Sequence, residues 1–199
     1  MRVKSSILLA LVVLAATAPV AKAAPVYAFP VLGCKVTYAH SHHDYPATDI
    51  LAKAGCKYVA TIGGTITEVS AKDIWNYKTN LGQDRGGLSI AFIGDDGVRY
   101  YGSHFKKIEA GIVPGAVVVA GQTLAYLGNS GDARGTATHV HFGISWPTPV
   151  EAGAWWVRRG ELYPWPYLDA WKAGIDKSPA ASVAKLRKKL GDIPPAPKK

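Results

Sequence analysis

Four of the six histidines and one aspartate form three clusters, each beside a turn or strand signal. They are His43 and Asp49 in "HHDYPATDI", His104 in "YYGSHF", and His139 with His141 in "THVHFGIS". The run "HVHFGIS" alternates as a strand does. His139, His141 and Gly143 therefore share one face, and Val140, Phe142 and Ile144 share the other. Two imidazoles on one face can jointly address a metal ion and the water beside it. Hydrolysis calls for that arrangement, because zinc with an open coordination position brings the pKa of water down to about 7. Taken alone, His-x-His also reads as a half-buried strand with two hydrogen-bonded histidines. The two other clusters favour the metal chemistry.

Three protein ligands and one open position describe a hydrolytic zinc site. His43 and Asp49 are six residues apart, and an even spacing keeps both side chains on one face of an extended strand. Tyr45-Pro46-Ala47 lies between them and favours a bulge, so parity prefers His43 over His42 only weakly. His40 with Asp44 has even spacing too, but that pairing leaves Asp49 without a role.

The elements that must carry these residues read as β structure. "KYVATIGGTITEVS" is two β-rich runs around Gly63-Gly64, and "GLSIAFIGDDGVRYYGSHF" is two strands joined at Asp96-Gly97, a strong hairpin signal. "GIVPGAVVVAGQTLAYLGNSG" is a set of short strands punctuated by Gly and Pro. No long helical periodicity interrupts residues 57–145, which predicts a mainly β domain built on a compact antiparallel sheet. Residues 71–87 read as a surface loop with one helical turn. Five of the six tryptophans fall in "WPTPVEAGAWWVRRGELYPWPYLDAW". Residues 146–167 of that stretch read as a segment wrapped over the domain, its aromatic rings packed into the core. A short helix is expected over Leu168–Gly174, and a mobile, Lys-rich end with one helical stretch from Ser178.

Residues 1–23 have the form of a signal peptide: a basic start at Arg2 and Lys4, an apolar run from Ile7 to Ala16, and Ala21-Lys22-Ala23 as a cleavage signal. The apolar run is too short to span a membrane comfortably. The expected organisation is a signal peptide over 1–23, a domain over 24–175 and a basic, Pro-containing tail over 176–199. The first 23 residues hold three basic groups and no acid, so the remainder carries +6 against +9 for the whole chain. That excess suits a polyanionic cell envelope. The basic residues are scattered and no nucleic-acid motif is present, so nucleic acid is not an expected partner. Cys34 and Cys56 are the only cysteines. In an exported chain an even pair points to a disulfide, here closing a loop of roughly 20 residues around His43 and Asp49 and worth about 3 kcal/mol.

Taken in order, "HDYPATD", "YYGSHF" and "HVHF" resemble the motifs of the lysostaphin-type, or LytM-like, zinc endopeptidases that cut peptidoglycan cross-bridges, in the form of the secreted actinobacterial branch. "GIVPGAVVVAGQTLAYLGNSG" is similar to the glycine-punctuated run the family carries between its second and third motifs. The resemblance covers roughly residues 43–146. It implies a duplicated hybrid β motif with short peripheral helices, and His43, Asp49 and His141 as zinc ligands. It also implies that His104 and His139 flank the scissile carbonyl, one as general base and the other as stabiliser of the oxyanion or proton donor to the leaving amine. The first motif departs from the family pattern His-x-x-x-Asp by two extra residues, and His40, His42 and His43 are all available for its histidine.

The function expected is that of a secreted, monomeric zinc endopeptidase acting on peptidoglycan stem peptides or cross-links. A non-catalytic envelope regulator of the same fold would lack several site residues, whereas every position here has a candidate. A biotinyl- or lipoyl-type carrier would need a lysine at a tight hairpin tip, and the corresponding hairpin has none.

Overall fold

The structure, a computed structural model, describes residues 26–43 and 45–197. The signal-peptide reading therefore lies outside the described residues, as does Asp44. Among the described residues ten strands form two antiparallel sheets. In chain order they are β1 (Val31–Leu32), β2 (Thr48–Leu51), β3 (Lys57–Val59), β4 (Gly64–Ser70), β5 (Ser89–Gly94), β6 (Arg99–Ser103), β7 (Phe105–Ile108), β8 (Val117–Val118), β9 (Thr123–Leu127) and β10 (His139–Ser145). The order β1-β3-β9-β7 makes the smaller sheet, and β2-β10-β6-β5-β4-β8 the larger. The mainly β, antiparallel expectation holds, with two sheets in place of one; β3 to β10 fall within residues 57–145 as expected, and β1 and β2 precede that stretch.

The β5–β6 hairpin turns at Asp96-Gly97 as expected, with Gly97 at a φ of 75°. The Asp96 carboxylate accepts hydrogen bonds from the Tyr27 and Tyr100 hydroxyls, which ties the turn to the N-terminal segment. The apolar alternation of β10 drives Val140, Phe142 and Ile144 into the core, each fully buried, beside Tyr58, Phe92, Tyr100 and Phe105. Burying side chains of this size contributes roughly 1.5–3 kcal/mol each. That is what holds β10 in register and commits its other face, with His139 and His141, to the site.

Cys34 and Cys56 are joined in a disulfide. One lies just after β1 and the other just before β3, so the bridge closes off the end of that strand pair. The enclosed segment leaves the smaller sheet and delivers β2 to the edge of the larger one.

Three helices cover the aromatic region: α1 (Trp155–Arg159), α2 (Trp165–Lys172) and α3 (Ala180–Leu190). The wrapping segment buries Trp146 and Tyr167, but Trp155, Trp156 and Trp165 are only half-buried and Tyr163 is exposed, so the expectation of rings packed into the core holds in part. It also contains α1, for which the sequence shows no periodic signal. The expectation of a mobile end from Ser178 is corrected. Val183 of α3 is buried in the core, and the indole N–H groups of Trp146 and Trp156 donate to the carbonyls of Asp192 and Pro194. Those two indoles need partners when they are buried, and the C-terminal backbone provides them.

Candidate metal and catalytic site

The site lies where β2, β10 and β6 run side by side. His141 is the register partner of Asp49 on β2 and of Ser103 on β6. His141 Nδ1 stands 3.1 Å from Asp49 Oδ1, and His42 Nε2 stands 3.8 Å from Asp49 Oδ2. One donor atom from each of His42, Asp49 and His141 lies within 4.8 Å of the other two.

His42, rather than the expected His43, completes this group. His43 stacks on His42 with ring centroids 4.2 Å apart and lines the cavity beside it. The parity argument presumed extended chain from residue 43 to 49, but β2 begins only at Thr48 and the backbone bends before it. His40 is turned away altogether, stacked on Trp165 and paired with Asp169 at 3.1 Å.

The donor set fits a divalent transition metal. His42 Nδ1 is 3.0 Å from the Tyr45 carbonyl oxygen, and a carbonyl only accepts, so Nδ1 carries the proton and Nε2 presents a lone pair to the group. Burial, and after it the neighbouring His141, push the His42 pKa down to about 4, which keeps that lone pair free. Burial opposes ionisation of Asp49. The hydrogen bond and charge of His141, with His42, nonetheless hold its carboxyl below the usual carboxylate range. Two imidazoles and one carboxylate are ligands that zinc takes in hydrolytic sites.

His104 and His139 come together a short way off, ring centroids 4.9 Å apart, with His104 6.2 Å from the His141 ring. Each directs Nδ1 at a backbone carbonyl 2.8 Å away, Ser130 for His104 and Ala137 for His139. The same logic leaves both Nε2 atoms as proton acceptors. His104 is the single residue between β6 and β7, where the chain leaves the larger sheet for the smaller. It makes that crossing at a φ of 69°, a left-handed conformation that costs a non-glycine residue roughly 1–2 kcal/mol. Its N–H donates to the Gly86 carbonyl, which helps hold it there. Burial, then the nearby His141 and His139, lower its pKa to about 3, so the ring is neutral.

These five side chains line a cavity of about 420 Å³. The described part of the chain also builds it from residues that sequence reasoning did not single out: Tyr45, Arg85, Asp132, Trp155 and Arg159. The Tyr45 hydroxyl is 3.4 Å from His141 Nε2. α1 reaches the sheet because position 143 is glycine: a Cβ there would meet the Arg159 carbonyl oxygen at 1.6 Å. Segment 71–87, expected beside the sheet, forms a wall of the cavity. Its one helical turn is at Gly82–Asp84, Gly82 lies against the Trp155 ring, and the Gln83 carbonyl accepts a hydrogen bond from Arg159.

No protein-family profile and no curated protein sequence matches the chain. Solved structures do. The catalytic domain of lysostaphin, an antimicrobial peptidase from Staphylococcus simulans, superposes with a TM-score of 0.51 at 22% identity, over 67% of this chain and 92% of that domain. A protein described as a glycyl-glycine endopeptidase LytM, from Ruminococcus gnavus, gives 0.56 at 22% identity, over 77% of this chain and 63% of its own. The chain has the lysostaphin-type peptidase fold. It spans half of longer lysostaphin (TM-score 0.51, 24% identity). In this fold the cavity is lined by residues of β2, β10 and α1, among others. Among the described residues no helix is long and apolar enough to cross a membrane.

Proposed function

We propose that this protein is a zinc-dependent endopeptidase that hydrolyses peptide bonds of peptidoglycan, exported and active at the cell wall as a monomer. The observation that supports the reading best is the convergence of His42, Asp49 and His141 within 4.8 Å, beside two further histidines, in one cavity. His42, Asp49 and His141 hold the metal. A zinc ion there supplies a Lewis acid that polarises the peptide carbonyl and acidifies water.

The chain's own groups move the protons. With Nδ1 bonded to the Ala137 carbonyl, His139 offers Nε2 to the attacking water. As the water oxygen bonds to the carbonyl carbon, its proton passes to an imidazole. When the C–N bond breaks, an imidazolium returns a proton to the departing amine. His104 is equipped in the same way and stands close enough to share that duty or to steady the oxyanion once charged. The lysostaphin-type fold, the disulfide and the signal-peptide form of residues 1–23 all support an exported wall enzyme.

The test is digestion of purified sacculi by the zinc-loaded protein, with mass analysis of the released peptides. Release of peptide-cleaved fragments that stops on chelation and returns with zinc is the expected result. Full activity in chelator, or no cleavage by protein shown to carry metal, overturns the reading.

A further inference from the structure

Two of the three candidate metal ligands are fixed by sheet register, Asp49 on β2 and His141 on β10. His42 is not, because it lies in the irregular segment before β2. On its C-terminal side, Nδ1 reaches the Tyr45 carbonyl oxygen at 3.0 Å. On its N-terminal side the segment is tied down at two places. Thr37 bridges Leu51, the last residue of β2, through N–H to O bonds of 3.1 and 2.8 Å. The second hold comes from outside both sheets, from α2.

Helix α2 has two working faces. Tyr167, Leu168 and Trp171 are buried. Trp165, Asp169 and Lys172, spaced four and three residues apart, share another face, and all three meet the segment that leads to His42. The Tyr38 hydroxyl donates to Asp169 Oδ1 at 2.7 Å, and His40 Nε2 stands 3.1 Å from Asp169 Oδ2. One carboxylate thus grips two residues of the segment, one with each oxygen. The His40 ring stacks on Trp165 with centroids 4.3 Å apart, and Lys172 Nζ lies 5.4 Å from the centre of the Tyr38 ring. Only Ser41 separates His40 from His42. Even a fully extended chain keeps those two Cα atoms within about 7 Å, so a hold at residue 40 restrains residue 42. The side chains of His40 and Asp169 are 57% and 44% exposed, and exposed pairs of this kind contribute little to global stability. Their effect is local. A ligand already in place binds metal more tightly than one found there only part of the time.

We propose that Asp169 is a positioning residue for the metal site: by holding Tyr38 and His40 from α2, it presets His42 as the third ligand. The proposal rests on the zinc reading of His42, Asp49 and His141. Helix α2 lies beyond residues 43–146, the stretch whose motifs carry the family resemblance, so this support comes from outside the motif-bearing part of the chain.

The test compares the whole protein with D169A and with Y38F, which removes only the hydroxyl. Zinc affinity is read by competition with a chromophoric chelator. The His42 imidazole resonances are read by NMR without zinc, and stability by thermal melts without zinc. D169A should weaken zinc binding about 3- to 10-fold, and Y38F by a smaller factor, with melting temperatures within about 3 °C of the parent. The His42 resonances should shift or broaden in both variants while those of His139 stay in place. D192A, which breaks the exposed Arg187–Asp192 pair at 2.7 Å, should move neither readout. Unchanged zinc affinity in D169A overturns the proposal, and so does weaker binding with the His42 resonances unmoved. If D169A fails to fold, Y38F decides by the same two readouts. If the unaltered protein binds no zinc, the zinc reading fails, and the His42 resonances alone decide whether Asp169 positions that ring: unmoved resonances remove the role.

Discussion

His141 and Asp49 face each other directly across the β10–β2 ladder, Nδ1 to Oδ1 at 3.1 Å. A cross-strand pair of this kind is set by sheet register, so the carboxylate and the imidazole are brought together by the same backbone bonds that build the sheet. His42 comes from the bend before β2 and completes the group from outside the ladder.

That geometry separates two adjacent histidines. His42→Ala should lose most bound zinc, and His43→Ala should keep about one zinc per chain, as read by elemental analysis of dialysed protein. The reverse result would move the first ligand to His43 and contradict the arrangement described.

The two histidines of β10 should separate as well. His141→Ala should strip the metal and abolish turnover. His139→Ala and His104→Ala should retain metal and lose something like 10²- to 10⁴-fold in kcat, as expected for general acid–base groups. If both of these variants keep full activity, proton transfer lies elsewhere.

Tyr45 supports His141 from behind. With a metal bound through Nδ1, His141 would carry its proton on Nε2 and would donate it to the Tyr45 hydroxyl, 3.4 Å away. Tyr45→Phe should weaken zinc binding about 10- to 100-fold, measured by competition with a chromophoric chelator. Unchanged affinity would show that the 3.4 Å contact does not orient the ligand.

The Cys34–Cys56 bridge closes a 22-residue separation that contains His42, Tyr45 and Asp49. Reduction should lower stability by about 3 kcal/mol and weaken zinc binding at the same time. Thermal melts and metal titrations with and without reductant check both halves. A loss of stability with no change in zinc affinity would mean that the bend before β2 holds its shape unaided.

Burial pushes the Glu161 carboxyl from 4.5 up to about 7. The folded chain then binds a proton more tightly than the unfolded chain between those values, so stability falls as pH rises through the window and the loss is complete above pH 7. Glu161→Gln should be more stable than the parent at pH 8 by on the order of 1 kcal/mol, allowing for partial solvent screening, and indistinguishable at pH 4. Denaturant titrations at the two pH values test this.

Much of the framework was legible in the residues themselves. Strand alternation put His139 and His141 on one face, Asp96-Gly97 marked the hairpin, and two lone cysteines, in a sequence that opens with the form of a signal peptide, pointed to their bond. Each is a local rule, set by side-chain period, turn conformation or chemistry, and each survives whatever the rest of the chain does. The tertiary structure decided what local rules do not reach. Which of His42 and His43 joins Asp49 depends on how the chain bends before Thr48, and parity has no meaning through a bend. Arg159, Trp155 and Tyr45 enter the cavity only because α1 seats on the glycine face of β10 and the disulfide-bounded loop folds over it. The basic end, polar by composition, is held because Val183 packs into the core and the indoles of Trp146, buried, and Trp156, half-buried, find acceptors there. Close packing brings together residues more than 90 positions apart, and no sequence period records that.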